Sequence, residues 1–192
     1  IQDTMMIKPP IGDAAGKTTH VEAMFDEIAP RYDRLNRALS FGIDVWWRKR
    51  AVAVLGEALG AHRPDRLLDV ATGTADLAVE ALKLGPREVV GVDISDGMLA
   101  VGRTKISRHG LTKRISLVQA DALDLPFEDA TFDGALVAFG VRNFENLHAG
   151  LGGIRRVLRP GAPLVILETS QPTAFPFKQG YTLYAQQIMP RV

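Results

Sequence analysis

The feature that most constrains this sequence is a short apolar run that ends in a glycine-containing turn. Leu67 opens the run, Asp69 and Gly73 lie at its end, and apolar residues then recur at helical spacing from Leu77. This order predicts a buried strand, a tight turn and a helix. Twenty residues beyond Gly73, a second apolar run ends in Asp93. The arrangement is typical of a βαβ unit that binds a nucleoside and offers a carboxylate to the ribose hydroxyls.

The turn departs from the pattern that binds dinucleotides. That pattern needs glycines as G-x-G-x-x-G so that the backbone can approach a pyrophosphate. Here the second and third positions are Ala75 and Ala78. Asp69 would also lie unfavourably beside a pyrophosphate, whereas it suits a cofactor with a cationic amino group. S-adenosylmethionine has such a group and a ribose, and it has no phosphate. An ordinary strand-to-helix turn in a domain without a nucleotide is the alternative at this point.

Two further features favour an adenosyl cofactor. Asp121 follows a third strand-like run, where its carboxylate can accept a hydrogen bond from an adenine amino group, and Met98 can pack on the adenine face. Acidic residues at three successive strand ends, together with the glycine turn, resemble the class I S-adenosylmethionine-dependent methyltransferases. The candidate cofactor-binding residues are Asp69, Thr72, Gly73, Thr74, Asp93, Met98, Asp121, Ala122 and Ala138.

Composition narrows the class of protein. The chain has 192 residues, of which 46% are apolar and 23% charged, as is usual for one globular unit. A net charge of +1 without long runs of one sign argues against a nucleic-acid binder. No cysteine is present and the four histidines lack metal-ligand spacing, so no metal site is predicted. No apolar run reaches the ~20 residues that cross a bilayer, and a cytoplasmic location is expected.

The order of the predicted elements indicates an α/β fold. Residues 1–20 are expected to form a flexible leader, and residues 21–64 a helical lid in which Asp44 is the predicted N-cap of a helix over 45–59. Strands and helices alternate over residues 65–192, which predicts a doubly wound, mostly parallel, Rossmann-like sheet with ligands beyond its carboxyl edge. The predicted strands are 67–71, 88–93, 115–119, 132–138 and 163–169.

Three segments carry a more specific resemblance. They are FDEIAPRYDRLN at 25–36, FGVRNF at 139–144 and RVLRPGAPLVILETS at 156–170. Over residues 20–192 the chain resembles the ubiquinone/menaquinone biosynthesis C-methyltransferases. It departs from the family pattern at Asp44, usually His, at Ala75 and Ala162, usually Gly, and at Ala138, where many relatives have Ser. Relatives continue for several elements after residue 192, so the final antiparallel hairpin of the sheet is expected to be missing.

The resemblance implies transfer of a methyl group from S-adenosylmethionine to a ring carbon of a demethylmenaquinol-type polyprenyl hydroquinone. The protein would then position the ring and supply a base or an ordered water. Arg142 is the candidate to stabilise a phenolate or polarise that water, and Asn143 to orient the water or the ring. Tyr32 and Asp33 are the candidates to complete the pocket from the lid.

The long apolar tail of such a substrate raises a question about membrane contact. Apolar residues of the lid could line a channel for the tail or touch a bilayer, although their helical spacing favours packing within the lid. They are Met24, Phe25, Leu39, Phe41, Trp46 and Trp47. A later apolar lip is expected from Phe175, Phe177, Tyr181, Leu183 and Tyr184. Transient contact with the inner face of the membrane and a homodimer are kept as hypotheses.

Two other functions stay open on the sequence. One is a class I methyltransferase that acts on another small molecule, because only the flanking segments favour a quinol. The other is a non-catalytic nucleoside-binding module or a nicotinamide enzyme, and the two missing glycines argue against nicotinamide.

Overall fold

The computed structural model describes residues 14–168 of the chain. The α-helices of this range are α1 (Ala14–Ile28), α2 (Tyr32–Leu39), α3 (Ile43–Leu59), α4 (Asp76–Ala81), α5 (Asp96–Arg108) and α6 (Leu147–Val157). The strands are β1 (Arg66–Val70), β2 (Glu88–Asp93), β3 (Ile115–Gln119), β4 (Gly134–Ala138) and β5 (Leu164–Leu167). None of the helices within this range is both long and apolar enough to span a lipid bilayer.

The five strands form one sheet in the order β3-β2-β1-β4-β5, and every neighbouring pair is parallel. The predicted doubly wound α/β fold is therefore confirmed. The chain runs outward from β1 to β3 and then returns to β4 on the other side of β1, so the strand order reverses between β1 and β4. In sheets of this type the crevice at that reversal is where ligands bind. The expectation that the final hairpin is missing and the apolar lip expected after residue 168 both concern a part of the chain that lies outside the described residues.

Successive residues of β1 face opposite sides of the sheet and build a core on each side. On one side Leu67 packs in a cluster with Leu55 of α3, and on the other Leu68 packs with Phe132 and Ile154. All five side chains are completely buried. Each such side chain contributes about 1.5–3 kcal/mol to stability. Because α3 supplies Leu55, this helix of the predicted lid is part of the core and fixes the position of α2 before it.

Strands β1, β4 and β5 have ends one or two residues from the predicted ones, and two features before the sheet differ more from the prediction. Helix α1 begins at Ala14, so residues 14–20 of the predicted leader are helical; no proline interrupts the chain between Pro10 and Pro30. Asp44 is not an N-cap, because α3 begins at Ile43 after Gly42, which adopts a left-handed φ of 77°. The Asp44 carboxylate is buried and accepts hydrogen bonds from Ser40 Oγ at 2.7 Å and Arg48 Nη2 at 2.6 Å.

The turns that follow β1 and β4 approach each other closely at the reversal point. Ala71 and Phe139, each the first residue after its strand, both have left-handed backbones, with φ of 55° and 59°. A Cβ atom on Gly140 would overlap the Cβ atom of Ala71. Backbone strain of this kind is concentrated at functional sites in many proteins. Glycine at position 140 is thus required by space, since its own φ of −101° suits any residue.

Substitution of Gly140 by Ala should therefore force the two turns apart. We expect Gly140→Ala to lower the free energy of unfolding by about 1–3 kcal/mol, as overpacking does. Gly152→Ala is the matched control, because Gly152 lies within α6 with no atom near its hypothetical Cβ. The control should gain about 0.5–1 kcal/mol from the better helix propensity of alanine. Urea denaturation measures both changes, and equal stabilities of the two variants would contradict the steric argument.

Candidate active site

Two adjoining cavities lie at the carboxyl edge of the sheet. The larger has a volume of about 700 Å³ and opens to solvent, and the smaller has a volume of about 420 Å³. They share walls from the lid, from the turns after β1 and β4, and from the end of β4: Tyr32, Ala71, Gly73, Ala138 and Phe139. The site is therefore one crevice with two chambers at the point where the strand order reverses.

Every one of the candidate cofactor-binding residues lines at least one chamber. The larger chamber includes Gly73, Asp93, Met98, Asp121, Ala122 and Ala138. The smaller chamber includes Asp69, Thr72, Gly73, Thr74 and Ala138. The structure thus brings together residues that are as much as 69 positions apart in the sequence. Their contact with a cofactor stays a prediction.

Asp93 joins the end of β2 to the turn after β1. Its Oδ2 accepts a hydrogen bond from the Gly73 backbone N–H at 2.7 Å, and its Oδ1 accepts one from Ser95 N–H at 3.0 Å. Burial raises the pKa of the Asp93 carboxyl, while these backbone donors favour its charged form. A carboxylate oxygen can accept more than one hydrogen bond. Asp93 can therefore hold the turn in place and still accept from ligand hydroxyls in the larger chamber.

Asp69 is the most unusual polar group of the site. Its side chain is completely buried, and its Oδ2 accepts a hydrogen bond from Thr72 Oγ1 at 2.6 Å. Its Oδ1 is buried with no hydrogen-bond partner among the described residues. Burial raises the pKa of Asp69 to about 7, and the charge of Asp93 adds to the rise, whereas the Thr72 hydroxyl opposes it. A buried carboxylate oxygen without a donor is costly, so the smaller chamber fits a ligand that carries a cationic group.

Gly73 leaves space over Met98 in the wall of the larger chamber. Gly73 has a left-handed φ of 55°, and a Cβ there would lie 3.1 Å from Met98 Cε. A side chain at position 73 would thus fill the space over Met98. Asp121 Oδ1 accepts a hydrogen bond from the Leu123 N–H at 2.9 Å, which fixes the carboxylate at the chamber wall. Together with the orphaned Asp69 oxygen, this set of groups fits an adenosyl cofactor with an amino-acid tail.

Two of the four candidate catalytic residues face the crevice. Tyr32 lines both chambers and Asn143 lines the larger one. Burial raises the pKa of the Tyr32 hydroxyl, and the positive charge of Arg142 opposes that rise. The field of Arg142 therefore reaches a phenol on the chamber wall, although Arg142 itself lies outside both linings. Its Nη1 is 3.3 Å from Glu168 Oε2, and its guanidinium lies 6.0 Å from the Phe139 ring centroid.

Asp33, the fourth candidate, is engaged in contacts within the protein. Its Oδ1 accepts a hydrogen bond from Thr74 Oγ1 at 2.6 Å, and its Oδ2 lies 2.8 Å from Lys105 Nζ. Lys105 also pairs with Asp76 at the start of α4. Asp33 thus ties α2 to the turn after β1 and to α5. This geometry suits a residue that positions the chamber wall.

Sequence reasoning missed Arg48, which lines the smaller chamber. This buried side chain places Nη2 2.6 Å from Asp44 Oδ2 and 3.2 Å from Asp76 Oδ2. The four-residue spacing of Asp44 and Arg48 on one helix was the available signal. Burial opposes ionisation of the Asp44 carboxyl. The hydrogen bond from Ser40 and the charge of Arg48 nevertheless hold the pKa of Asp44 below its usual value.

A second missed residue, Asp26, anchors α1 above the larger chamber. Asp26 Oδ1 accepts hydrogen bonds from Ser95 Oγ at 2.5 Å and from Gly97 N–H at 2.9 Å. Ser95 in turn caps α5 by accepting from Met98 N–H at 3.0 Å. A carboxylate at a helix N-terminus is favoured by the helix dipole. The contact holds Phe25 of α1 in the wall of the larger chamber.

The raised pKa of Asp69 predicts an unusual pH dependence of stability. The folded state favours the protonated form of Asp69. The contribution of Asp69 to the free energy of unfolding is therefore complete at low pH, and it is lost as pH rises towards about 7. Asp69→Asn removes this titration. The variant should therefore gain free energy of unfolding relative to wild type by about 1.4 kcal/mol for each pH unit between about pH 4 and 7. Urea denaturation at several pH values measures the difference.

Thr72→Val provides the companion measurement. It removes the hydroxyl that lowers the pKa of Asp69, so the loss of stability with rising pH should extend to a higher pH. The difference in free energy of unfolding between wild type and Asp69→Asn should vary with pH. A difference that stays constant with pH would contradict a raised pKa of Asp69.

Comparison with known proteins connects this geometry to a family. The sequence pattern of the ubiE/COQ5 methyltransferase family matches residues 14–192. The demethylmenaquinone methyltransferase of Bacteroides fragilis is 47% identical over 185 residues, which cover 96% of this chain and 74% of that protein. The ubiquinone/menaquinone biosynthesis C-methyltransferase UbiE of Geobacter sulfurreducens is 44% identical over 91% of this chain and 67% of its own length.

Solved structures of lower sequence identity share the fold. The [4+2]-cyclase SpnF superposes with a TM-score of 0.68 at 22% identity, over 82% of this chain and 62% of its own. A protein from Methanococcus maripaludis that is assigned as an S-adenosylmethionine-dependent methyltransferase superposes with a TM-score of 0.61 at 18% identity, over 95% of this chain and 76% of that one. These likenesses bear on the Rossmann-like frame alone. The match to the family pattern over nearly the whole sequence places the chain in the ubiE/COQ5 methyltransferase family.

Proposed function

We propose that this chain is an S-adenosylmethionine-dependent C-methyltransferase that acts on a demethylmenaquinol-type polyprenyl hydroquinone in respiratory quinone biosynthesis. Membership of the ubiE/COQ5 family and the names of relatives at 44–47% identity support the reaction and the substrate class. The structural observation that carries the proposal is the pairing of two chambers, one with the unpartnered Asp69 oxygen and one with the Asp93 carboxylate. An adenosyl sulfonium with an amino-acid tail needs both groups.

S-adenosylmethionine, when bound, supplies an electrophilic methyl group. On this proposal Asp69 would hold the amino group of its tail, Asp93 would accept from the ribose hydroxyls, and Asp121 would accept from the adenine amino group. Met98 and Ala122 would pack against the adenine, and Ala138 would lie beside the cofactor at the end of β4. Thr72 and Thr74 would act through the protein, because their hydroxyls donate to Asp69 and Asp33.

The remaining work of the protein is to make the ring carbon nucleophilic and to place it. A hydroquinone whose phenol loses its proton becomes more electron-rich at carbon, and the ring carbon loses its own proton once the new C–C bond has formed. Tyr32 and Asn143 can hydrogen-bond the ring oxygens or an ordered water from the chamber wall. Arg142 would favour the phenolate of the substrate through its charge. Asp33 positions Thr74 and the lid.

A polyprenyl tail is insoluble in water, so the proposal includes action at the inner face of a membrane. A homodimer is a separate hypothesis about the assembly. A methyltransferase of another small molecule is the competing function, because the same frame supports different chemistry, including that of a [4+2]-cyclase. The quinol is favoured because the family match extends beyond the frame through the lid.

The cofactor assignment predicts a loss of affinity on changing Asp93. Asp93→Ala should weaken binding of S-adenosylhomocysteine by about 1–3 kcal/mol, the range for leaving polar partners unpaired. Asp96→Ala is the matched control, because Asp96 is exposed and pairs with Arg103 on the surface of α5. Isothermal titration calorimetry measures both. Equal affinity of the two variants would exclude the ribose role, and tight binding of NAD without S-adenosylhomocysteine would exclude the methyltransferase.

The reaction is tested by methyl incorporation. Incubation with isotopically labelled S-adenosylmethionine and demethylmenaquinol should place the label on a ring carbon, as detected by mass spectrometry, and a benzoquinol precursor tests the breadth of substrate. Arg142→Gln should lower kcat about 10²-fold, as loss of a stabilising donor does. Arg103→Gln is the control, since Arg103 pairs with Asp96 away from the crevice. Intact cofactor binding with no quinol methylation would favour the other small-molecule substrate.

A further inference from the structure

The turn between α2 and α3 exposes an unusual amount of apolar surface. Phe41 is 79% exposed, Ile43 48% and Trp46 62%. Ile43 and Trp46 are three residues apart on α3, so their side chains project from neighbouring positions on one face. The ring centroid of Trp47, the next residue, instead lies 6.0 Å from that of Phe139. Phe139 is part of the wall of both chambers. The two tryptophans thus divide α3 into an inner side at the crevice and an outer apolar side.

The exposed charges of segment 31–50, which contains this apolar turn, have one sign. The segment 31–50 has six basic and two acidic residues, a formal charge of +4 in a chain whose net charge is +1. Asp44 is buried against Arg48, and Asp33 is half-buried against Lys105. Every exposed charged residue of the segment is therefore basic: Arg31, Arg34, Arg37, Lys49 and Arg50. Among the described residues, Glu57 is the acidic partner of Arg50.

The backbone at Phe41 also favours presentation of the ring to the outside. Its φ of 51° lies in the left-handed region, which is costly for a bulky residue. The ring remains largely exposed, so burial offsets little of that cost. Asparagine adopts this backbone more readily than phenylalanine.

We propose that the α2–α3 turn docks the protein on an anionic lipid bilayer. Phe41, Ile43 and Trp46 enter the interface between headgroups and acyl chains, where aromatic side chains are favoured. The basic residues around them attract the phosphates of anionic lipids. Trp47 lies on the crevice side of the same helix, against Phe139, so docking would bring the crevice close to the bilayer. The docking surface goes beyond the methyl transfer proposed above and does not require it.

The charge pattern favours a bilayer over a second copy of the chain as the occupant. A two-fold symmetric contact through this turn would bring the same basic residues of both copies together. Like charges that meet in an interface are unfavourable, whereas an anionic membrane neutralises them.

Flotation with vesicles tests the proposal. The chain should float with vesicles made of equal parts phosphatidylcholine and phosphatidylglycerol, and should bind pure phosphatidylcholine vesicles far less. The double variant Phe41→Asn with Trp46→Gln should lower the partition coefficient at least about tenfold, because it removes the inserted groups. The double variant Arg34→Gln with Arg37→Gln should lower it about fivefold for each charge, and salt should weaken binding in wild type.

Matched controls separate docking from general effects. Leu147→Gln changes an apolar residue of α6 that is 46% exposed, and Arg108→Gln with Lys113→Gln removes two exposed charges from another surface. Both controls should bind vesicles like wild type. The single variant Phe41→Asn should keep or raise the melting temperature while it loses vesicle binding, whereas a structural role for Phe41 predicts a lower one.

Two further readouts make the outcomes distinct. Unchanged affinity of the turn variants for S-adenosylhomocysteine would show an intact crevice, so loss of vesicle binding would then be assigned to the surface. Equal flotation of wild type and both turn variants, or equal binding to neutral vesicles, would overturn the docking proposal. A wild-type dimer that the turn variants convert to a monomer, without vesicle binding, would replace the bilayer by a second copy. Failure of quinol methylation would leave the vesicle result unaffected.

Discussion

The site depends on a carboxylate that is buried at the end of the central strand without a full set of donors. Asp69 Oδ2 accepts from Thr72, its Oδ1 meets no donor among the described residues, and Asp69 has no exposed surface. To build this environment the turn after β1 uses left-handed backbones at Ala71, Gly73 and Ala75, with φ of 55°, 55° and 68°. Two of these three residues are not glycine, so the turn stores strain as well as desolvated charge. The turn joins β1, whose last four residues are buried, to α4, whose Leu77, Ala78 and Ala81 are buried, and these two elements hold its ends.

The helices before the sheet are attached in two different ways. Helix α3 contributes Leu55 to the core, and its position is as fixed as that of the sheet. Helices α1 and α2 make polar contacts, at Asp26 with the start of α5 and at Asp33 with Thr74 and Lys105. Apolar contacts add to them, since the ring of Phe25 packs edge-on against Tyr32 and Ala29 between the two helices is buried. The lid wall of the crevice is thus held by contacts of both kinds.

The sequence predicted the frame well, because periodicity and strand ends are local signals. The order of strands and the meeting of Asp69, Asp93 and Asp121 at one edge follow from alternating apolar runs and from the geometry of parallel sheets. The errors have tertiary causes. Asp44 looked like a cap because the sequence does not mark Ile43 as the start of the helix; with that start, Asp44 lies inside α3 and pairs with Arg48. The role of Asp26 depends on Ser95, 69 positions away, and no spacing rule reaches that far.

The family-specific segments and the shared cofactor signature occupy different parts of the crevice. Asp69 and Asp93 of the signature lie at the ends of β1 and β2, and Asp121 lies just after β3. A similar sheet is found in the structures of a cyclase and of an assigned methyltransferase. Segment 25–36 supplies the anchor of α1 and Tyr32, and segment 139–144 supplies Asn143 to the wall of the same chamber. In the described part of segment 156–170, Arg156 instead braces the frame, since it donates to the carbonyl oxygens of residues 125 and 127. On the proposed function, substrate choice should thus reside in the lid and in the turn after β4, which both line the larger chamber, whereas the carboxylates at the strand ends would hold the cofactor.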